Sequence, residues 1–130
     1  MEDKVLIIDF GSQYTQLIAR RVRELNIYCE IYSFDNLQKN TLEYGAIIFS
    51  GSPFSVHSKN APKIDITKLK GKVPILGICY GAQILADFYG GEVGKSSSRE
   101  YGRAKLIIHD TNNLLDGFKN NSQVWMSHGD

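Results

Sequence analysis

A chain of 130 residues with 42% hydrophobic and 22% charged side chains has the size and composition of one compact globular domain, 1–130, that buries a real core. Fifteen Lys and Arg stand against 14 Asp and Glu, and a net charge of +1 excludes recognition of nucleic acid or an acidic membrane through bulk electrostatics. No run approaches the roughly 18 consecutive apolar residues of a membrane helix, and Met1-Glu2-Asp3-Lys4 is unlike a secretory signal, so Cys29 and Cys79 are expected as free thiols of a cytoplasmic protein.

The first apolar run, 5–10, is followed by a helix signal. Ser12 is the predicted N-cap, and Tyr14, Leu17, Ile18, Val22 and Leu25 recur at helical spacing, with Arg20, Arg21, Arg23 and Glu24 mostly on the other side. Residues 28–32 read as a strand with Cys29 and Ile31 on one face and Tyr28, Glu30 and Tyr32 on the other. The runs 5–10, 46–49, 73–78 and 104–108 are read as continuously apolar, the pattern of central parallel strands buried on both faces. Residues 80–89 form a second predicted helix, with Ile84, Leu85 and Phe88 inward and Gly90-Gly91 as its stop. The polar stretch 94–103 predicts a surface loop, followed by strands at 104–108 and 123–126. Strands alternating with helices predict an α/β fold, a doubly wound, mostly parallel sheet. With no helix after residue 126 to cover the last strand, the domain reads as truncated at its C-terminal end.

The informative stretch is Gly77-Ile78-Cys79-Tyr80-Gly81-Ala82-Gln83, where a buried strand runs straight into a helix. A nucleophile at such a junction sits on a sharp turn, and small residues two before and two after let the backbone fold tightly enough to expose it. The helix start points its free N–H groups at the sulfur, which favours thiolate, and the Tyr80 N–H is placed to stabilise an oxyanion on a carbonyl attacked by Cys79. Cys29 lies within a strand, lacks this elbow and is expected to be an inert packed thiol.

Two loops belong to the same sheet edge, because ligands collect outside the carboxyl ends of parallel strands. One is Ser50-Gly51-Ser52-Pro53, after the 46–49 strand. The other is Asp9-Phe10-Gly11-Ser12-Gln13-Tyr14-Thr15, whose glycine pattern matches neither a dinucleotide fingerprint nor a P-loop, so capping and lining of the site are expected there rather than phosphate binding. His57, His109 and His128 are the histidines available as a base, His128 standing in Ser127-His128-Gly129-Asp130 with a carboxylate two residues on.

These motifs resemble the class I (triad) glutamine amidotransferases. Gly-Ile-Cys79-Tyr-Gly-Ala-Gln83 is similar to the family's nucleophile motif and Ser-Gly51-Ser52-Pro53 to its oxyanion loop. Asp9-Phe10-Gly11-Ser12-Gln13-Tyr14-Thr15-Gln16, Ala19-Arg20-Arg21-Val22-Arg23-Glu24 and Trp125-Met126-Ser127-His128-Gly129-Asp130 are similar to the N-terminal domain of the GMP synthase branch, so the resemblance covers the whole chain. It implies a flavodoxin-like fold, glutamine hydrolysis through a thioester on Cys79, and ammonia passed to an ATP-pyrophosphatase (synthetase) domain or subunit that aminates XMP. It also implies oxyanion contacts near Ser52 and Tyr80, and substrate contacts from Gly51, Gln83, Ser127, His128 and Gly129. No metal or cofactor is expected in this domain, ATP and Mg belonging to the synthetase.

Two departures stand out. The family has Gly-Gly-Pro where this chain has Gly51-Ser52-Pro53, and a side chain at Ser52 raises the cost of any backbone flip that needs positive φ. The family's catalytic His and Glu lie in a His-Pro-Glu motif beyond the Ser-His-Gly-Asp segment, so residues 1–130 alone are expected to hold a nucleophile without its base. Two other classes remain open at this point: a flavodoxin-like nucleotide or flavin binder using the 11–15 loop, and a cysteine hydrolase of a related elbow-bearing superfamily.

Overall fold

The computed structural model describes residues 2–37, 41–94, 100–110 and 113–128. The chain divides into two compact units, 1–93 and 94–130. The first contains β1 (Glu2–Asp9), α1 (Thr15–Glu24), β2 (Tyr28–Ser33), β3 (Tyr44–Phe49), β4 (Ile75–Gly77) and α2 (Tyr80–Phe88). Its four strands form one sheet in the order β2-β1-β3-β4, and every neighbouring pair is parallel.

The central strands carry apolar side chains on both faces, as the uninterrupted runs predict. Leu6 and Ile8 of β1 join Ile47 and Phe49 of β3, Phe10, and Tyr80 and Ile84 of α2 in one core. Ile7 points the other way, to Ala19 of α1 and Cys29 of β2, with Val5, Ile18, Val22, Ile31 and Ile48 around them. One helix thus covers each face, the doubly wound arrangement. The β2 faces also follow the alternation, Cys29 and Ile31 lying under α1 and Tyr32 beside the opposite core. The β3–β4 link has no α-helix. It contributes Val56, Ile66, Leu69 and Val73 to the core around a 3₁₀ turn, Ile66–Lys68. Asp65 caps that turn by accepting the Thr67 N–H at 3.1 Å and the Thr67 hydroxyl, and the hydroxyl bond holds its carboxyl below the usual carboxylate range.

Three local expectations are corrected. Ser12 does not cap α1. The cap position is Tyr14, and the Ser12 Oγ accepts the Tyr14 N–H at 3.0 Å in a local turn that precedes the helix. The apolar stripe of α1 is narrower than its sequence suggests, since Thr15 and Ala19 are buried while Tyr14, Leu17 and Leu25 stay exposed. Finally, the 73–78 run is not a central buried strand. β4 is the outer strand of the described four-stranded sheet, and Leu76 is exposed. The strand is only three residues long because Pro74 lacks an N–H to donate, although its carbonyl still accepts the Ile47 N–H at 2.9 Å.

The stop of α2 is as predicted and has an identifiable chemistry. The Gly91 N–H donates to the Ala86 carbonyl at 2.8 Å and the Gly90 N–H to the Asp87 carbonyl at 3.2 Å, with Gly90 at φ 84°. This is the paired bonding of a Schellman stop, which needs the left-handed glycine.

The second unit contains β5 (Glu100–Leu106) and β6 (Ser122–His128), which pair antiparallel with Arg103 opposite Trp125 and Ala104 opposite Val124. β5 therefore begins inside the stretch expected to be a loop, and residues 95–99 of that stretch lie outside the described residues. The strand expected at 104–108 ends at Leu106, where the Leu106 carbonyl accepts the Asn121 N–H at 2.7 Å. A two-stranded ribbon can be exposed on one face, so Arg103, Lys105 and Trp125 alternate with half-buried Ala104, Leu106 and Val124. Among the described residues no helix is long and apolar enough to cross a membrane.

Candidate active site

The short strand β4 passes through Ile78 into α2, and Cys79 sits at the joint. Its backbone, at φ 53° and ψ −116°, is in a region that side chains rarely occupy. The turn is held by the Ile78 N–H donating to the Phe49 carbonyl and the Gly81 N–H donating to the Ile78 carbonyl, both at 2.9 Å. The Cys79 carbonyl accepts the Ala82 and Gln83 N–H groups.

The flanking glycines are required by packing. A Cβ at Gly77 would lie 2.7 Å from the Ala82 Cα, and one at Gly81 would lie 2.3 Å from the Phe49 carbonyl oxygen. Strand and helix meet too closely for any side chain at either place. The consequence is that Cys79 is exposed while Cys29 is buried beside the Ala19 carbonyl.

Tyr80 occupies the first position of α2, where the N–H has no partner within the helix. Its side chain turns the other way, 2% exposed, against Phe10 at 5.6 Å between ring centroids, with its hydroxyl donating to the Pro62 carbonyl. Burial pushes the phenol pKa up, so it stays a neutral donor.

The 50–53 loop is fixed to the first strand. The fully buried Ser50 donates its N–H to the Ile8 carbonyl at 3.1 Å, and its Oγ accepts the Phe10 N–H at 3.1 Å. Gly51 follows directly, and a Cβ built there would meet the Cys79 Cβ and the Ser12 Oγ, each at 3.5 Å. Ser52 is half-buried, its Oγ accepts the Phe54 N–H at 3.2 Å, and its φ is not positive. The 9–15 loop closes the group. The Asp9 carboxylate accepts the Gly11 N–H at 2.8 Å and the Thr15 hydroxyl at 3.1 Å, while Gly11, at φ 96°, packs against Pro53.

Within the first unit the structure thus brings together Cys79, the Tyr80 N–H, Gly51, Ser52 and Ser12, with Gln83 one turn along α2. His57 is exposed and its Nε2 lies 2.6 Å from the Val93 carbonyl. Ser127 and His128 end β6 in the second unit, opposite Tyr101 and Glu100, and Gly129 lies outside the described residues. His109 is exposed in that unit as well. The sequence reading placed the 50–53 and 9–15 loops at the site but missed the particular contacts of Ser50 and Ser12. Their contacts are to residues 40 positions away for Ser50 and across to Gly51 for Ser12, and no local pattern encodes them.

An exposed thiol on a strained strand-to-helix turn, beside a glycine loop and a free helix N–H, is suited to attack on a carbonyl and to stabilisation of the resulting oxyanion. Relatives of the chain agree with that chemistry. It is 58% identical over its whole length to a glutamine-hydrolysing GMP synthase of Christiangramia forsetii and 56% identical to one of Flavobacterium psychrophilum. It spans 26% of the length of each. A solved structure described as a GMP synthase subunit, from Thermoplasma acidophilum, superposes with a TM-score of 0.75 at 26% identity, covering 97% of this chain and 64% of that one. The family profile described as glutamine amidotransferase class-I matches residues 6–130, so that fold, elbow and relatives converge: the chain belongs to the class-I glutamine amidotransferase family.

Proposed function

We propose that the chain is the glutamine-hydrolysing part of a GMP synthase. The Cys79 sulfur attacks the side-chain carboxamide carbon of glutamine, a C–S bond forms, and the C–N bond breaks to release ammonia. Water then cleaves the thioester to glutamate and restores the thiol. Backbone N–H groups at Ser52 and Tyr80 hold the oxyanion. Gly51 and Gln83 line the substrate site, and Ser127, His128 and Gly129 bind the α-amino and α-carboxylate end. The ammonia goes to an ATP-pyrophosphatase (synthetase) domain or subunit, which uses ATP and Mg to convert XMP to GMP in the cytoplasm. This domain needs no cofactor of its own.

The observation that carries the reading is the exposed Cys79 in its strained turn, with Gly51 in contact range of its Cβ. Incubation with an electrophilic glutamine analogue followed by mass spectrometry tests it. An adduct on Cys79 and none on Cys29 is expected, whereas equal or absent labelling refutes the assignment.

Residues 1–130 contain no His-Pro-Glu sequence. We assign the base and its carboxylate partner to such a motif elsewhere in the protein, since protonation of leaving ammonia and deacylation both need one. Residues 1–130 alone should accept the electrophile yet turn glutamine over at least about a hundredfold more slowly than a protein that includes the motif, in line with the roughly 10²–10⁴ typical of acid–base catalysis. Full turnover by residues 1–130 would instead promote His128 to the base.

A further inference from the structure

Gly51 differs from the two glycines of the elbow. Its φ is not in the left-handed region, and a Cβ there would make only ordinary contacts, 3.5 Å to the Cys79 Cβ and 3.5 Å to the Ser12 Oγ. Neither backbone conformation nor packing demands glycine, so what the missing side chain leaves is space. That space is framed by the nucleophile on one side and by the Ser12 hydroxyl on the other, with room between them for about one methyl-sized group.

A serine hydroxyl has one proton to donate and two lone pairs. One lone pair of Ser12 accepts the Tyr14 N–H at 3.0 Å, which fixes the side chain's direction. Among the described residues no acceptor takes the hydroxyl proton. Ser12 is therefore an oriented, unused donor at the rim of the thioester site. Its position is itself held from behind, because the Ser12 carbonyl at 3.3 Å and the Asp9 carboxylate at 3.1 Å share the single proton of the Thr15 hydroxyl.

We propose that Ser12 is a specificity-determining residue of this site, its hydroxyl donating a hydrogen bond to the carboxamide oxygen of the substrate as that group enters the gap over Gly51. The inference rests on the reading of Cys79 as the glutamine nucleophile. Methyl methanethiosulfonate is small and carries no carbonyl for Ser12 to bind, so its reaction rate at the sulfur reports access and thiol reactivity alone. A glutamine-shaped electrophile must fill the gap. The ratio of the two labelling rates at Cys79 is the quantity that Ser12 sets.

Three variants of the chain separate a donor from a mere turn residue. Ser12→Ala is expected to lower the ratio of glutamine-analogue to thiosulfonate labelling about tenfold, the effect of one lost substrate hydrogen bond, with thiosulfonate labelling unchanged. Ser12→Thr, which keeps the hydroxyl, restores the ratio. Ser12→Asp keeps an acceptor for the Tyr14 N–H but has no proton to give, and is expected to stay as low as Ser12→Ala. An unchanged ratio in Ser12→Ala, or full recovery in Ser12→Asp, overturns the proposal. Absence of selective labelling in the unsubstituted chain overturns the nucleophile reading itself, and is thereby distinguished from failure of the role of Ser12.

Discussion

At Cys79 exposure of the thiol and conformational strain share one residue. A non-glycine residue at φ 53° and ψ −116° costs on the order of 1–3 kcal/mol, sustained by the two backbone bonds that close the elbow. Glycine has no such penalty. Cys79→Gly and Cys79→Ala should both abolish labelling by the glutamine analogue, but the glycine variant should be the more stable by about 1 kcal/mol in chemical denaturation. Equal stabilities would mean that the turn is unstrained. At Gly81 the outcome is opposite in sign. A methyl group 2.3 Å from the Phe49 carbonyl oxygen has no room, so Gly81→Ala should lose about 3 kcal/mol or more, read from the same denaturation curves. Gly51→Ala should fold like the parent chain. The elbow was legible in the sequence because its demand for small residues falls at fixed offsets, Gly77 and Gly81 around Cys79. The shared edge of the 9–15 and 50–53 loops was legible too, but the contact of Ser12 with Gly51 was not, since no local pattern encodes which side chains of two loops meet.

Among elements, β1 and β3 were legible because a strand buried on both faces needs an uninterrupted apolar run, and 5–10 and 46–49 are such runs. The start of β5 was illegible for the converse reason. Glu100, Arg103 and Lys105 sit in an antiparallel ribbon whose bonds are main-chain, so their polarity carried no strand signal. The start of α1 was misread because Ser12 has the same preference for a local turn as for a helix cap, and Asp9 and Thr15 settle the loop in the turn form. The 3₁₀ turn at Ile66–Lys68 gives a pH-dependent expectation. Thr67 holds the Asp65 carboxyl below its ordinary value of 3.8, so the cap contributes fully above that pH and its contribution fades as the pH falls through the lowered folded value. Asp65→Ala should lower the Tm at neutral pH, and the difference from the parent chain should shrink under acid conditions.

For the molecule as a whole, the two thiols offer a measure of order. Cys79 should react with a thiol reagent at once, whereas Cys29, 2% exposed between α1 and the sheet, should react only at the rate at which that core opens. Two equally fast thiols would contradict the packing. Family membership was legible well before the architecture was complete, since separated motifs at three loops had to coincide. The division into units at residue 93 falls where the polar 94–103 stretch begins, a stretch that reads in the sequence only as a surface loop. The buried phenol of Tyr80 has a reach beyond its own helix. Its N–H lies at the start of α2 next to Cys79 and its hydroxyl is tethered to the Pro62 carbonyl, so one residue joins the elbow to a strap 18 positions back along the chain. Replacing Tyr80 by phenylalanine cuts that tether while leaving the N–H in place, and a change in the rate of Cys79 labelling at unchanged stability is the sign that the strap bears on the elbow.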